Sequence, residues 1–258
     1  LDNAIIRNCT KAVNIGFYHN KLPNGNPLPN RSYVKNSSFL MDDQYPGSLT
    51  ENPSFINIAV VDGIVFKNNI FNDNRVTVQD LYRMNGITGF FASFSVTEDV
   101  NIASNIFQNL HYGIKAFASG NYKSVTIRKT KFENNKHAIS LYGLNLAVIT
   151  SNEILVSSAL TTSYEDRNYG VYLEGCNNYK FEDNWISSTT GSGYGAIVKN
   201  SGATDIIYSN RFFNLTVGTQ IESSPSLSQT QGVQVKCNKF STIAKADIAF
   251  TSSTAPDQ

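Results

Sequence analysis

Short runs of alternating apolar and polar residues recur along nearly the whole chain, and each leads into the same corner. The phrase is an apolar strand, then Asn, any residue, and Phe or Ile. It reads Ile64-Val65-Phe66-Lys67-Asn68-Asn69-Ile70-Phe71, then Val100-Asn101-Ile102-Ala103-Ser104-Asn105-Ile106-Phe107, and returns around Asn152, Asn184, Asn210 and Asn238. Ser37-Ser38-Phe39 and Thr130-Lys131-Phe132 are degenerate copies. Successive Phe/Ile positions lie 22–36 residues apart, from Phe39 to Phe240. A repeat of that length means one supersecondary unit stacked on copies of itself.

Counting back from the corner, apolar residues stand at five and three places before it: Ile64 and Phe66, Val100 and Ile102, Val125 and Ile127, Ala147 and Ile149, Tyr179 and Phe181, Val233 and Val235. Polar or mixed residues lie between them. Period two means a half-buried strand. The copy with Asp205 breaks the pattern, and a local register slip would put Ile206 inside instead. Asn suits the corner because it tolerates left-handed backbone and its amide bonds nearby groups. Stacked in register, such amides also hydrogen-bond from coil to coil.

A second strand follows each corner and often opens with Gly, as in Gly113-Ile114-Lys115-Ala116, Gly170-Val171-Tyr172-Leu173 and Gly195-Ala196-Ile197-Val198. Strands every 22–36 residues without helical stretches describe an all-β, parallel β-helix of about eight to nine coils, right-handed by the usual sense of parallel crossovers. Propeller blades need about 40–50 residues each, so they are excluded. Residues 1–258 read as one solenoid domain. At roughly 4.8 Å per coil the rod is about 40 Å long.

Charge removes some partners. Lys plus Arg number 21 against 20 Asp plus Glu, a net charge of +1 with no basic stripe, so a nucleic-acid partner is not expected. No apolar run is long enough to insert in a membrane. The three cysteines make no disulfide framework; Cys9 and Cys176 read as one repeat position, and Cys237 directly precedes its corner Asn. Strand-like residues run from Ala4 to Phe250, with no cap at either end. Exposed solenoid edges pair with other chains unless covered. A fragment of a longer secreted protein is therefore expected, its ends covered by flanking domains or partner chains.

Function is sought in the long turns, at Asn20 to Arg31, Met41 to Asn57, Asn72 to Gly89, Ser157 to Asn168 and Ser223 to Gln231. The turns at Asn72 and Ser157 fall at equivalent places and would line one shallow groove. Asp42 and Asp43, with Asp62 or Asp73, are the candidates for Ca²⁺, which takes six to eight oxygens; plain turn formation is the alternative. Glu165, Asp166 and Arg167 are the weak candidates for acid–base chemistry on a sugar, against a self-paired charge cluster. Tyr112, Tyr142, Tyr172, Tyr194 and Tyr208 suit stacking on sugar rings, against packing between coils. The outward column Lys67, Ala103, Arg128, Thr150, Glu182, Tyr208 and Lys236 carries no shared chemistry.

The phrases Tyr169-Gly170-Val171-Tyr172-Leu173-Glu174-Gly175-Cys176, Phe181-Glu182-Asp183-Asn184 and Gly232-Val233-Gln234-Val235-Lys236-Cys237-Asn238-Lys239-Phe240 resemble the right-handed parallel β-helix regions of large secreted Bacteroidetes proteins. Such proteins usually end in a type IX secretion sorting domain, and the resemblance implies no catalytic residues. More distantly the fold is similar to that of pectate lyases, polygalacturonases and phage tailspikes. The Gly-His-Gly signature and paired Asp motifs of polygalacturonases are not found here. The expectation is a secreted or cell-surface spacer or adhesin without resident cofactor, binding a polysaccharide or surface protein through its loops. The alternative is a polysaccharide lyase or glycoside hydrolase working in the groove.

Overall fold

The computed structural model describes residues 1–16, 32–47, 53–76, 78–79, 82–99, 104–119, 123–157, 167–201, 205–223 and 233–252. They form a parallel β-solenoid, built as the repeat predicts from three short strands per coil. Every pairing between neighbouring coils is parallel. Sheet A holds the eight strands that lead into the corner residue: Tyr33–Lys35, Asp62–Lys67, Ser93–Thr97, Val125–Arg128, Val148–Thr150, Lys180–Glu182, Ile206–Tyr208 and Gln234–Lys236. Sheet B holds the nine that follow it, from Ile5–Arg7 and Ser38–Met41 to Arg211–Phe213 and Lys239–Ser241. Sheet C, also of nine, contains Asn85–Phe90, Tyr112–Phe117, His137–Tyr142, Tyr169–Glu174, Tyr194–Lys199 and Val217–Ser223.

The Asn column is the amide ladder its spacing implies. Asn184 Oδ1 accepts the backbone N–H of Asn152 at 3.0 Å and its side-chain amide at 2.9 Å. Asn210 accepts the same pair from Asn184, and Asn238 from Asn210. Ser37 and Thr130, which lack the amide, enter the column through their backbone N–H groups, which donate to Asn69 and Asn152. The left-handed backbone sits one residue earlier than expected, at Asn36, Asn68, Lys129, Ser151, Asp183, Ser209 and Cys237. The two demands of the corner are divided. One residue bends the chain, and the next turns its amide inward, where a buried donor or acceptor must find a partner.

Inside the ladder runs a column of rings. Phe39, Phe71, Phe107 and Phe132 stack face to face at 4.6–5.1 Å, as do Phe212 and Phe240 at 5.0 Å, with Ile154 and Ile186 between the two stacks. This column explains the glycines that open the sheet C strands. A Cβ on Gly195 would lie 2.5 Å from the Phe212 ring and 2.4 Å from the Gly218 carbonyl oxygen. No side chain fits there.

Three details of the repeat differ from expectation. In the coil that reaches Asn105, the sheet A strand is Ser93–Thr97, while the expected Val100-Asn101-Ile102-Ala103 lies wholly outside the described residues. Asn105 keeps its place in the ladder and donates to the Thr97 carbonyl at 2.8 Å, across an insertion that starts at Glu98. Thr97 therefore stands beside Lys67 in the outward column, at the place expected for Ala103. Second, the register does not slip at Asp205. Ile206 pairs with Lys180, and Asp205 itself faces inward, fully buried, accepting the Tyr179 N–H at 3.2 Å. Third, Cys9 follows a sheet B strand, Cys176 a sheet C strand and Cys237 a sheet A strand. The cysteines occupy three different corners on distant coils, because a strand's local spelling does not reveal which wall it joins.

Candidate binding face

Sheet C strands open with two consecutive inward residues, Gly113 and Ile114, Ala138 and Ile139, or Gly170 and Val171. That leaves three outward positions per strand, at the first, fourth and sixth places. In register across coils they read Tyr112, His137, Tyr169 and Tyr194, then Lys115, Ser140, Tyr172 and Ile197, and last Phe117, Tyr142, Glu174 and Lys199.

The rings touch in a continuous horseshoe. Phe90 stacks on Phe117 at 5.3 Å, Phe117 on Tyr142 at 4.7 Å, and Tyr142 leans on Tyr172 at 5.5 Å. The path turns back through Tyr169 at 5.4 Å to His137 at 4.2 Å and Tyr112 at 4.7 Å. Lys115 and Ser140 lie side by side within it. The Lys115 ammonium is 4.3 Å from the centroid of Tyr112 and 5.1 Å from that of Phe117, in cation–π range of both. Partial burial draws its pKa down from the usual lysine value. Among the described residues no carboxylate pairs with it.

The horseshoe lies between two insertions at the corner where sheet B passes to sheet C. One runs from Asn74 to Met84, the other from Ser157 to Asn168; in the two coils between them that corner is short. The first insertion is pinned by buried Asp73. Its carboxylate takes two bonds from Arg75, at 2.8 and 2.6 Å, and one from the Met84 N–H at 2.8 Å, while Arg83 donates to its carbonyl. Arg167, at the end of the second, reaches across the face to Glu222 at 3.0 Å, its guanidinium 5.0 Å from the Tyr194 ring. Glu165 and Asp166 lie outside the described residues.

Burial governs the titratable groups of this face. Burial pushes the phenols of Tyr142, Tyr169 and Tyr172 upward, so they stay protonated donors. Burial, with His111 and Lys136 adding to it, drops His137 well below the usual histidine range and keeps it neutral. Glu174 and Glu222 occupy one outward column two coils apart, roughly 9.6 Å by strand spacing. Each is tied to a cation: Lys199 at 3.1 Å from Glu174, Arg167 at 3.0 Å from Glu222.

The Ca²⁺ candidates are dispersed over separate tasks. Asp42 accepts the Asn8 amide and the Gln44 N–H, and that hydrogen bonding holds its carboxyl below the usual range. Asp43 accepts the Val76 N–H at 3.1 Å, and Asp62 pairs with Lys123 at 2.7 Å. Among the described residues no three His, Cys, Asp or Glu converge to hold a metal ion. Of the five tyrosines singled out by sequence, Tyr112, Tyr142, Tyr172 and Tyr194 share this face, whereas Tyr208 stands on sheet A. Lys115 and His137 were not among the expected binding residues. Their signal is the first–fourth–sixth spacing, legible only once the double inward step is known.

A sequence profile for the family described as "Periplasmic copper-binding protein (NosD)" matches residues 34–241, most of the chain. The chain belongs to that family. No curated protein and no solved structure matches it. Copper is held by thiolate, thioether or imidazole. Here the cysteines sit at three corners, and the Cys176 thiol is pushed up to about 12 by burial. Met41 and Met84 are enclosed in the core. His111 and His137 are neighbours, with ring centroids 5.2 Å apart, and the buried Nδ1 of His137 has no hydrogen-bond partner. Two imidazoles beside the cationic Lys136 and Lys115 do not complete a copper site. The described residues do not fit the metal. No helix is long and apolar enough to cross a membrane.

Proposed function

We propose that this member of the NosD family is an exported, non-catalytic β-helix module, a rigid spacer or adhesin, that binds a glycan along the outer face of sheet C. The observation that carries the reading is the horseshoe of Tyr112, Phe117, Tyr142, Tyr169 and Tyr172 around a lysine and a serine. Sugar rings present apolar C–H faces to aromatic planes and hydroxyls to phenols, so the part-exposed Tyr112, Tyr142 and Tyr172, backed by buried Tyr169, are their natural platform. Export is supported by the family's description as periplasmic and by the resemblance to secreted Bacteroidetes β-helix regions. A type IX route to the cell surface is the finer form of that reading.

The paired carboxylates of Glu174 and Glu222 motivate a second reading, as a glycoside hydrolase or lyase. A polysaccharide panel tests both, with binding and depolymerisation measured with and without added Ca²⁺ and Cu²⁺. Binding without new reducing ends or unsaturated products supports the module. Product formation overturns it in favour of the enzyme. Loss of binding in Tyr142→Ala or Tyr172→Ala assigns the face, and unchanged binding in both removes it.

A further inference from the structure

Among the described residues of the face, one cation meets no carboxylate. Lys199 is paired with Glu174 and Arg167 with Glu222, and away from the face Lys35, Lys67, Lys123, Lys131 and Lys180 each meet a carboxylate. Among the described residues Lys115 meets none. Its ammonium is half-buried and faces the Tyr112 and Phe117 rings. In the same row it is flanked by Thr88 and Ser140, both small hydroxyl residues, and Ser140 is bonded to the Tyr169 hydroxyl at 2.8 Å.

A charge withdrawn from water without a counter-ion costs stability. Ring faces offset part of that cost, but a solvated lysine head would have avoided it, because the side chain is long enough to reach water. Holding a lone ammonium among aromatic rings prepares it for a charge that arrives from outside. A small anion alone would find little use for the surrounding rings. A sugar that carries an acidic group uses both features: its ring lies on the aromatic planes while its anion reaches the ammonium.

Resting on the glycan-binding reading above, we infer that the horseshoe around Lys115 is a subsite for a sugar ring bearing a single negative charge, a uronate carboxylate or a sulfate ester. The glycan is thus acidic. One ammonium matches one such group, and a charge-assisted hydrogen bond is roughly twice as strong as a neutral one.

The test is affinity electrophoresis and titration calorimetry of the full chain with polygalacturonate, a sulfated dextran and a neutral dextran of matched length. The chain is expected to bind at least one acidic polymer ten-fold or more tighter than the neutral one at low salt, with the difference shrinking as NaCl rises. Lys115→Gln should lower affinity for that polymer about ten-fold, and Lys115→Arg should retain most of it. Lys131→Gln, the same charge change on sheet B, should leave it unaltered. Preference for polygalacturonate assigns the carboxylate, and preference for sulfated dextran the sulfate. Equal affinity for neutral and acidic polymers, or an acidic preference that Lys115→Gln does not reduce, overturns the inference and leaves glycan binding standing. No binding of any polymer overturns both.

Discussion

Asn184 shows what one position in this fold has to do. It is buried, accepts two hydrogen bonds from Asn152, and donates to the Ile149 and Glu182 carbonyls and to the Asn210 amide. Replacing it with Leu strands groups on both neighbouring coils at about 1–3 kcal/mol for each unmade bond. Asn184→Leu should therefore cost roughly 3 kcal/mol or more, read as a lower midpoint in urea unfolding with an unchanged slope. A midpoint equal to the parent's would mean the ladder adds nothing to stability. The cysteines separate by the same local logic. Cys176 is buried and donates to the Leu141 carbonyl, and burial holds it as a thiol. Cys237 is exposed at its corner. Iodoacetamide should label Cys237 in the native protein within minutes and Cys176 only in denaturant. Mass spectrometry of the peptides reads this, and rapid native labelling of Cys176 would contradict its burial. At this scale the sequence was informative. The ladder Asn announces itself because few residues satisfy a buried corner. Its left-handed neighbour does not, since Lys129, Ser151, Asp183 and Cys237 all serve.

At the level of elements, the strands were legible wherever corner and strand are contiguous. They were misplaced where an insertion parts them, as at Ser93–Thr97 and Asn105. Val100-Asn101-Ile102 spells a strand but lies outside the described residues, and the parallel partner Val125–Arg128 is taken by Phe94, Ser95 and Val96. Pairing decided against spelling. The insertion from Asn74 to Met84 illustrates how an irregular element is fixed without a strand. Asp73 is buried and gathers Arg75, Arg83 and the Met84 N–H. Asp73→Ala leaves the nearly buried guanidinium of Arg75 without its carboxylate, which is strongly destabilising locally. Because each coil contacts only its neighbours, the loss should stay near this insertion. Limited trypsin digestion is expected to cut after Arg75 or Arg83 at least ten-fold faster in Asp73→Ala than in the parent. Equal digestion rates would show that the carboxylate does not pin this segment.

Over the whole molecule, the solenoid exposes three walls of different character. Sheet A carries paired surface charges, which contribute little. Sheet C carries the aromatic horseshoe and the buried imidazole of His137. Folded His137 stays neutral as pH falls through about 6.5, whereas the unfolded chain takes up a proton there. The unfolded state then binds more protons, so stability should fall as pH drops below about 6.5, by at most about 1.4 kcal/mol per pH unit from this group. Urea unfolding at pH 7.5, 6.5 and 5.5 reads the slope. His137→Phe, which keeps a ring against Tyr169, should flatten it, and an unchanged slope would assign the dependence elsewhere. The sequence by itself determined the solenoid, its corner ladder and the strand that follows each corner. Those features repeat, and each repeat imposes the same local demand on the same residue type. Only the tertiary structure decided which wall each cysteine and tyrosine joins, that Asp205 faces inward, and that Lys115 stands among aromatic rings. Such facts arise from register between residues a full coil apart, where insertions of unequal length erase any fixed spacing along the chain.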